Sequence, residues 1–569
     1  ADRLEDYLSK RPSETAAGML RTTLGELRLK QYYNATNAVG AEEKSALLSK
    51  ASAQFDRVLS DKNDLSWVGR AALGRAWANW EGGKTAEAQT DFVLAAEKLP
   101  VSTEQAVAFF KWADTQFLLG DFAGAEVNYR KIVTNYSAFP EVTNGLVSQA
   151  LHQLVRTAIR REDAVAAQTA LKKILESYPD TFFATQDLLL AGQAINKSGN
   201  PLVALEMFDQ FLTRFPQSEL SPEVRLERAR TFIQERKWTQ AIQIYQEWVG
   251  IYASHQGFAR AEFDLGWLHY KAGQETNALT VFTNFVAQFP TNELAARAQS
   301  WVGDFHFRAG EFVEAEKSYQ QIFQNTNWPV TRLTYQARLD AGRAAFARAG
   351  FSDARGYFTN LANNAQAPQD LINEALYAYG DTFIEEPVND PIKALEKYAD
   401  AINAFSLVVQ NSKTNLLAAL ANGRIGDCHL QLASKDQDPE RYKSAAEFYQ
   451  KVIESPYADI STRSQAQFKL ASVHESQARN QKLPAEQNIL LNFAVNQLLD
   501  VVLGSKLRDG EMSDPYWVQK AGLSAGRLLE EQQRWAEAAS IYSRLSEWFP
   551  TLRETLDKRV KLLKEQSGI

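Results

Sequence analysis

Hydrophobic residues in the segment from residue 259 to residue 290 recur with the period of an amphipathic helix, in two runs separated at Gly273. Leu265 and Gly266 lie in the middle of the first run, and Ala278 and Phe282 lie on one face of the second run, which ends at Pro290. Proline cannot continue a helix because it lacks the backbone N–H. The pattern predicts two helices, A and B, joined by a tight turn.

Most of the chain repeats this unit with variations. The small or short residue at the centre of helix A recurs every 37 residues, at Val155, Gly192, Ala229, Gly266 and Gly303. Helix B starts with a small residue, followed four positions later by an aromatic one, in the pairs Ala204 and Phe208, Ala241 and Tyr245, Ala278 and Phe282, and Ala315 and Tyr319. Small residues let two helices approach closely, and we expect the aromatic ring to fill the remaining space. A polar Ser or Thr in each Tyr/Phe-Pro linker is expected to cap the next helix A.

Later repeats keep the signature but carry longer loops. We assign them to Gly342, Ala354 and Phe358; Gly380, Ala394 and Tyr398; Gly426, Ala445 and Tyr449; and Gly526, Ala538 and Tyr542. The predicted divisions are an N-terminal arm at 1–15 that stops at Pro12, a regular array at 16–329, a divergent array at 330–550 and a C-terminal capping helix at 551–569. The first repeat contains a polar loop from Asn34 to Glu43, and the Gly380 repeat contains the insertion EEPVNDP.

A Leu-Gly in helix A, an early Ala and an aromatic in helix B, and a closing Pro together resemble the tetratricopeptide repeat, whose usual period is about 34 residues. The resemblance implies an all-α, right-handed superhelical solenoid of about 13 helix-turn-helix repeats. Each repeat is too small to bury its own apolar face, so neighbours must stack.

Composition and charge restrict the function without naming it. The 569 residues are 45% hydrophobic and 11% aromatic, which is ample for a folded core, and the net charge of −7 gives no basic field for nucleic acid. The single cysteine, Cys428, cannot form an internal disulfide and is expected to be buried. No apolar run is long enough to span a bilayer. The chain starts at Ala1 rather than Met, so we expect a trimmed chain; any leader or lipid-anchoring cysteine would lie outside it.

Histidines are the first candidates for chemistry. His269, His306, His429 and His474 share one position, three residues after the small residue of helix A. Equivalent positions in adjacent repeats should lie about 10 Å apart, too far for one metal ion. We therefore predict that these side chains, like His152 and His255, serve in packing. The chain has no nucleophile elbow, phosphate loop or metalloprotease motif, and we predict no catalysis, cofactor or metal.

In tetratricopeptide superhelices the concave surface is lined by helix-A positions 2, 5, 9, 12 and 13, with the Leu-Gly glycine counted as 8. The resemblance assigns these positions to partner binding, and aromatic and Arg side chains often dominate binding energy. The corresponding residues are Trp77, Trp80, Phe110, Phe117, Arg156, Arg160, Arg230, Phe263, Trp267, Tyr270, Phe307, Arg308, Arg343 and Phe346. The alternative is that some of them, above all at position 12, pack between neighbouring repeats.

Some members of the family bind a C-terminal carboxylate with Lys at position 5 and Asn at position 9. Those positions hold Leu189 and Gln193 in one repeat, and Phe263 and Trp267 in another. The clamp is absent there, which argues against a co-chaperone and favours an apolar wall that holds an extended segment or helix of a partner protein.

The 37-residue period and the Tyr/Phe-Pro linkers resemble bacterial envelope versions of the repeat, such as the outer-membrane assembly lipoprotein and Tol-Pal-associated proteins. The resemblance implies a non-catalytic protein-binding scaffold that is periplasmic or associated with the outer membrane. The alternatives are a cytoplasmic adaptor, an accessory region of a larger enzyme or membrane protein, and sugar binding through Trp77, Trp80 and Trp267.

Overall fold

A computed structural model of the chain describes residues 1–11, 16–35, 40–61, 65–388, 390–412 and 414–567. Pro12, the centre of the polar loop in the first repeat, one residue of the EEPVNDP insertion and the last two residues of the predicted capping helix lie outside this part. The described residues form α-helices, turns and two short helical segments of other types, and contain no β-strand. The predicted all-α class is confirmed.

The described helices fall into two compact units, Ala1–Gly273 and Gln274–Ile569. Helices of the first unit are α1 (Asp2–Lys10), α2 (Ala17–Asn34), α3 (Ala41–Leu59), α4 (Val68–Glu81), α5 (Thr85–Lys98), α6 (Thr103–Leu118), α7 (Phe122–Asn135), α8 (Val147–Arg160), α9 (Ala164–Ser177), α10 (Phe182–Lys197), α11 (Pro201–Arg214), α12 (Ser221–Gln234), α13 (Trp238–Ile251) and α14 (Phe258–Lys271). A π-helical turn, Val142–Leu146, leads into α8.

Helices of the second unit are α15 (Glu275–Gln288), α16 (Ala295–Arg308), α17 (Phe312–Gln324), α18 (Arg332–Ala347), α19 (Phe351–Ala362), α20 (Gln369–Glu385), α21 (Pro391–Asn411), α22 (Leu416–Asp436), α23 (Pro439–Glu454), α24 (Ile460–Arg479), α25 (Pro484–Leu503), α26 (Pro515–Glu531), α27 (Trp535–Trp548) and α28 (Arg553–Ser567). None of the helices in the described ranges has both the length and the hydrophobicity that a membrane span requires.

Helix pairs succeed one another along the chain, from α2 with α3 to α26 with α27. Within each unit, every helix contacts the next one, and successive even-numbered helices from α16 to α26 also contact each other. These even-numbered helices are the predicted helices A, so they form one continuous layer of the second unit. The helix α28 packs on α27 at the C-terminal end, where the sequence predicts a cap.

The close approach of helices A and B depends on glycine. A Cβ atom on Gly342 would come within 2.4 Å of the ring of Phe358, and one on Gly192 within 2.5 Å of the ring of Phe208. Both rings are buried. An alanine would therefore force the helices apart, which confirms the steric interpretation of the small-residue and aromatic pattern.

One repeat differs from its predicted alignment. The ring beneath Gly380 belongs to Phe405, which would lie 2.7 Å from an added Cβ atom, and not to the predicted Tyr398. The reason is that α21 is 21 residues long, so that Ala401 and Phe405 occupy the positions assigned to Ala394 and Tyr398. Two added turns at the start of α21 displace the small-residue and aromatic pair along the helix.

The linkers between repeats also differ from expectation. Thr181 precedes α10 without a side-chain capping bond, and its hydroxyl donates instead to the carbonyl of Tyr178. Ser221 is already inside α12, and its hydroxyl donates to the carbonyl of Phe215. Polar residues in these linkers therefore close the turn that follows helix B and do not cap the next helix A.

Candidate functional site

The second unit contains a cavity of about 600 Å³ between α18, α19, α20 and α22. Its apolar lining is made of Phe346, Phe358, Ala378, Leu416, Leu417 and Leu420. Its polar and charged lining is made of Arg343, Asp370, Asn373, Glu374, Tyr377, Asp381 and Asn415. Leu416 is 39% exposed, so part of the apolar lining is in contact with water.

A second cavity of about 230 Å³ adjoins the first, since Tyr377 and Leu420 line both. It lies among α20, α22, α23 and α24, and its charged lining is Arg424, Asp427 and Lys469. We call the two cavities together the α18–α24 groove. The groove thus runs along four successive helices A of the second unit.

The groove residues follow the helix-A register. Glu374, Tyr377 and Asp381 stand at positions 2, 5 and 9 when Gly380 is counted as 8. Leu420 and Asp427 stand at positions 2 and 9 relative to Gly426. These are positions that the resemblance assigns to the concave surface. The predicted set of binding residues ends at Phe346 and omits them, although the same rule identifies them from the sequence.

Charge in the larger cavity is predominantly negative. Arg343, its one cationic lining residue among those described, donates to Asp340 at 3.0 Å and to Glu374 at 2.7 Å. Asp370 accepts from Arg332 at 3.1 Å, and this ion pair lowers the pKa of the Asp370 carboxyl. Asp381 completes the set of three carboxylates.

Alternating charges connect the two cavities. Arg424 Nε lies 3.1 Å from Asp381 Oδ1, and Arg424 Nη1 lies 3.9 Å from Asp427 Oδ2. Lys469 Nζ lies 3.4 Å from Asp427 Oδ1, which also accepts a 2.6 Å hydrogen bond from the hydroxyl of Tyr449. Asp427 is thus held by three groups from three different helices, α22, α23 and α24.

Asp381 has fewer polar contacts than Asp427. Its Oδ1 atom is buried and has no hydrogen-bond partner among the described residues, although the Arg424 guanidinium is close. Burial raises the pKa of the Asp381 carboxyl to about 6, with Arg424 opposing the rise and the charges of Glu385 and Asp427 adding to it. The carboxylate would therefore gain from an additional cation or hydrogen-bond donor.

Three of the four sequence-predicted aromatic residues of α4 and α6 lie together around a lysine. Lys111 Nζ is 5.4 Å from the ring centroid of Trp77, 4.8 Å from that of Trp80 and 5.6 Å from that of Phe110. The ammonium also bonds Asp114 at 2.7 Å. Phe110 is buried, whereas the two Trp side chains are half-buried. These three rings therefore already make cation–π contacts within the protein.

The other predicted residues of α6, α8 and α12 have separate surroundings. The Arg156 guanidinium lies 5.0 Å from the ring centroid of Phe117. Arg160 is exposed and lines a cavity of about 400 Å³ near the turn between α8 and α9. Arg230 is also exposed and is paired with Glu227 of its own helix. The structure brings Phe117 and Arg156 together.

On α14, Phe263, Trp267 and Tyr270 form a continuous edge-to-face row. The ring centroids of Phe263 and Trp267 are 6.3 Å apart, and those of Trp267 and Tyr270 are 5.7 Å apart. Phe263 is only 3% exposed, while the other two rings are half-buried. Packing within the helix layer therefore explains the low exposure of Phe263.

In the second unit, Phe307 packs edge-on against Phe312 at 5.4 Å, and Arg308 bonds Glu275 at 3.3 Å. Arg343 and Phe346 line the larger cavity of the groove. These two are the predicted residues that the structure places in the α18–α24 groove. A binding role for each of the fourteen residues stays a prediction.

The histidines make packing contacts. The ring of His429 stacks on Phe448 at 5.7 Å, and burial lowers the pKa of His429. His152 Nδ1 lies 2.7 Å from Oδ1 of the fully buried Asp187, and its ring stacks on Phe183. Asp187 is not among the residues predicted from the sequence. Burial raises the pKa of its carboxyl to about 6. Within the described ranges, no group of three or more His, Cys, Asp or Glu side chains could hold a metal ion.

Comparison with protein families identifies repeats in three segments. A tetratricopeptide repeat model matches residues 189–255 and 263–327, and a second tetratricopeptide repeat model matches residues 107–138. The matched segments contain α7, α11, α12, α13, α15, α16 and α17 in full, together with most of α6 and the second half of α10. The chain therefore contains tetratricopeptide repeats. A comparison with curated proteins gives no significant match.

Comparison with solved structures finds similar chains at low sequence identity. A structure of Naa15/Naa10 bound to HypK-THB is similar over 99% of this chain and 75% of the other, with 14% identity and a TM-score of 0.39. The C-terminal part of a TPR repeat-containing protein from Cytophaga hutchinsonii is similar over 50% and 93%, with 14% identity and a TM-score of 0.32. Yeast Tom70 is similar over 93% and 99%, with 12% identity and a TM-score of 0.29.

Proposed function

We propose that this chain is a non-catalytic protein-binding scaffold that holds a segment of a partner protein in the α18–α24 groove. The observation that carries the proposal is the larger cavity, whose lining combines apolar and charged side chains. Tetratricopeptide arrays are typical of protein–protein interaction scaffolds, and such proteins are generally non-catalytic.

The dimensions and chemistry of the groove suit side chains of a peptide. A cavity of about 600 Å³ lies within the range of sites that enclose small ligands or anchoring side chains. Apolar residues together with polar and charged ones are usual in a protein interface. We propose that Leu416, Leu417 and Leu420 contact the apolar anchors of the segment, which binds as a helix or an extended strand.

Site-specific crosslinking tests this proposal. The photoreactive amino acid p-benzoylphenylalanine replaces Leu420 in the groove, or Leu407, which is exposed on helix B of the preceding repeat and lines neither cavity. We expect the probe at Leu420 to crosslink one protein that the probe at Leu407 does not. Mass spectrometry then identifies the crosslinked segment of that protein.

The purified segment must also bind the full chain directly. We expect the substitution Leu420→Glu to abolish binding, because it places a charge in the apolar lining, and the matched substitution Leu407→Glu to leave binding unchanged. Equal crosslinking at both positions, or binding that tolerates Leu420→Glu, would show that the partner binds elsewhere. Circular dichroism of the variants confirms that each is folded.

A second surface is proposed for the first unit, at Arg230, Trp267 and Tyr270. Support comes from the exposure of Arg230 and the half-buried state of the two rings, which leaves part of each side chain accessible. Crosslinking probes at these positions should capture the same partner if the segment also follows the first unit. Crosslinks confined to exposed positions of helices B would contradict the assignment.

We also propose a location in the bacterial envelope, in the periplasm or at the outer membrane. Support comes from the 37-residue period and the Tyr/Phe-Pro linkers, which resemble envelope versions of the repeat. A cytoplasmic adaptor and an accessory region of a larger enzyme or membrane protein are the alternatives. Cell fractionation of the natural full-length protein distinguishes them, since recovery with cytoplasmic markers would reject the envelope location.

A further inference from the structure

The carboxylate of Asp381 differs from its equivalents in two other repeats of the second unit. Asp304 and Asp427 occupy the same helix-A position, and each accepts a hydrogen bond from a buried tyrosine of helix B, Tyr319 at 2.7 Å and Tyr449 at 2.6 Å. In the Asp381 repeat the corresponding ring is Phe405, which has no hydroxyl. Asp381 therefore lacks the internal donor that engages the equivalent carboxylates.

Each carboxylate of the larger cavity has one arginine beside it, and the arginine beside Asp381 is shared with a second carboxylate. The lining contains three carboxylates, Asp370, Glu374 and Asp381, against one cation, Arg343. Arg343 is already shared between Glu374 and Asp340. Arg424, which lies outside this lining, is shared between Asp381 and Asp427. Arg332 pairs with Asp370 from outside the lining as well. The carboxylate with unmet capacity for a further donor is therefore Asp381, next to an apolar surface.

We propose that the α18–α24 groove selects a partner segment in which a lysine or arginine is flanked by aliphatic or aromatic residues, with the basic group bound near Asp381. This inference rests on the proposed function of the groove. The methylene stem of a Lys or Arg side chain would lie along Leu416, Leu417 and Leu420 while its charged end reaches the carboxylates. Charge complementarity of this kind chiefly determines specificity.

Selection from a random peptide library on the full chain tests the composition of the segment. Selected peptides are first sorted by whether Leu420→Glu abolishes their binding and Leu407→Glu does not. We expect the peptides that require Leu420 to contain a basic residue next to apolar ones. Groove-dependent peptides that are neutral or acidic would overturn this inference and leave the proposed function intact. If no selected peptide requires Leu420, the proposed function itself fails.

A double-mutant cycle then tests the role of Asp381. One arm is Asp381→Asn, which keeps the shape and removes the charge, and the other replaces the basic residue of the peptide by norleucine. We expect each change alone to weaken binding about tenfold and the two together to weaken it little further, because both remove one charge-assisted contact. The control Asp400→Asn, at an exposed position of α21, should have no effect.

Two results would overturn the assignment to Asp381. In one, Asp381→Asn weakens the basic and the norleucine peptide equally. In the other, it weakens neither. The groove could instead bind a second copy of the chain. In that case light scattering would show a molecular mass that rises with concentration, and Leu420→Glu would abolish the rise. This outcome would also reject a partner segment.

Discussion

The hydroxyl of Tyr449 donates a 2.6 Å hydrogen bond to Oδ1 of Asp427, and so joins helix B of one repeat to the groove surface of its helix A. Burial and the adjacent carboxylate raise the pKa of Tyr449, so the phenol remains a donor across the physiological range. The ring of the same tyrosine lies beneath Gly426, where an added Cβ atom would come within 2.8 Å. One side chain thus sets both the spacing of the helix pair and the position of a groove carboxylate.

Substituting Tyr449→Phe should destabilise the second unit by about 1.5–3 kcal/mol, because it removes a hydrogen bond to a charged acceptor in a buried position. The midpoint of urea unfolding, followed by circular dichroism, measures the change. Tyr457→Phe is the control, since Tyr457 is 46% exposed. Equal effects of the two substitutions would mean that the Asp427 bond contributes nothing specific.

Adding a methyl group at Gly342 should destabilise the protein, whereas adding one at Gly356 should not. In Gly342→Ala the new Cβ would overlap the buried ring of Phe358, and overpacking costs about 1–3 kcal/mol. Gly356 lies in the interior of α19, and an added Cβ there meets nothing within 4 Å. Gly356→Ala should therefore stabilise the helix by about 0.5–1 kcal/mol. Thermal unfolding of the two variants should shift in opposite directions.

Most of the helix pairing could be predicted from the sequence because glycine and aromatic residues mark the contact directly. Gly342 with Phe358 and Gly426 with Tyr449 were assigned correctly. The Gly380 repeat was not, because α21 contains two pairs with the same small-residue and aromatic spacing. Only the packing of α21 on α20 decides between Tyr398 and Phe405, and this packing depends on where the longer helix begins.

The groove was partly predictable. The helix-A register locates Glu374, Tyr377 and Asp381 as surface positions once Gly380 is recognised. The register does not show which carboxylate lacks an internal donor, because that depends on the identity of the ring that packs beneath Gly380. Similarly, Phe110 and Phe263 occupy predicted surface positions and are buried, since the space between adjacent helices A is set by side chains of several repeats.

Removing the ring of Phe282 should cost about 3–5 kcal/mol, as expected for a fully buried phenylalanine. The side chain is completely buried, and its centroid lies 4.8 Å from that of Trp301. Phe182→Ala is a matched control, because Phe182 is 66% exposed. Denaturant unfolding should separate the two variants clearly. A loss below about 1 kcal/mol for Phe282→Ala would show that neighbouring residues collapse into the cavity.

The stability contributed by Asp381 should depend on pH with a defined sign. Burial raises the pKa of this carboxyl to about 6 in the folded protein, above its value of about 4 in an unfolded chain. The folded state therefore binds the proton more tightly, and stability falls as pH rises from about 4 through about 6. Asp381→Asn cannot ionise, so its melting temperature relative to the wild type should be higher at about pH 7.5 than at about pH 4.5.

Asp370→Asn provides a control within the same cavity, because the pKa of Asp370 is shifted in the opposite direction. The ion pair with Arg332 lowers the pKa of Asp370, so its contribution is present at neutral pH and is lost only as pH falls below about 4. The melting temperature of Asp370→Asn relative to the wild type should therefore be constant between about pH 7.5 and pH 4.5. If the relative melting temperature of Asp381→Asn is also constant, burial does not destabilise the Asp381 carboxylate. The groove then lacks the unmet capacity for a cation on which its proposed specificity depends.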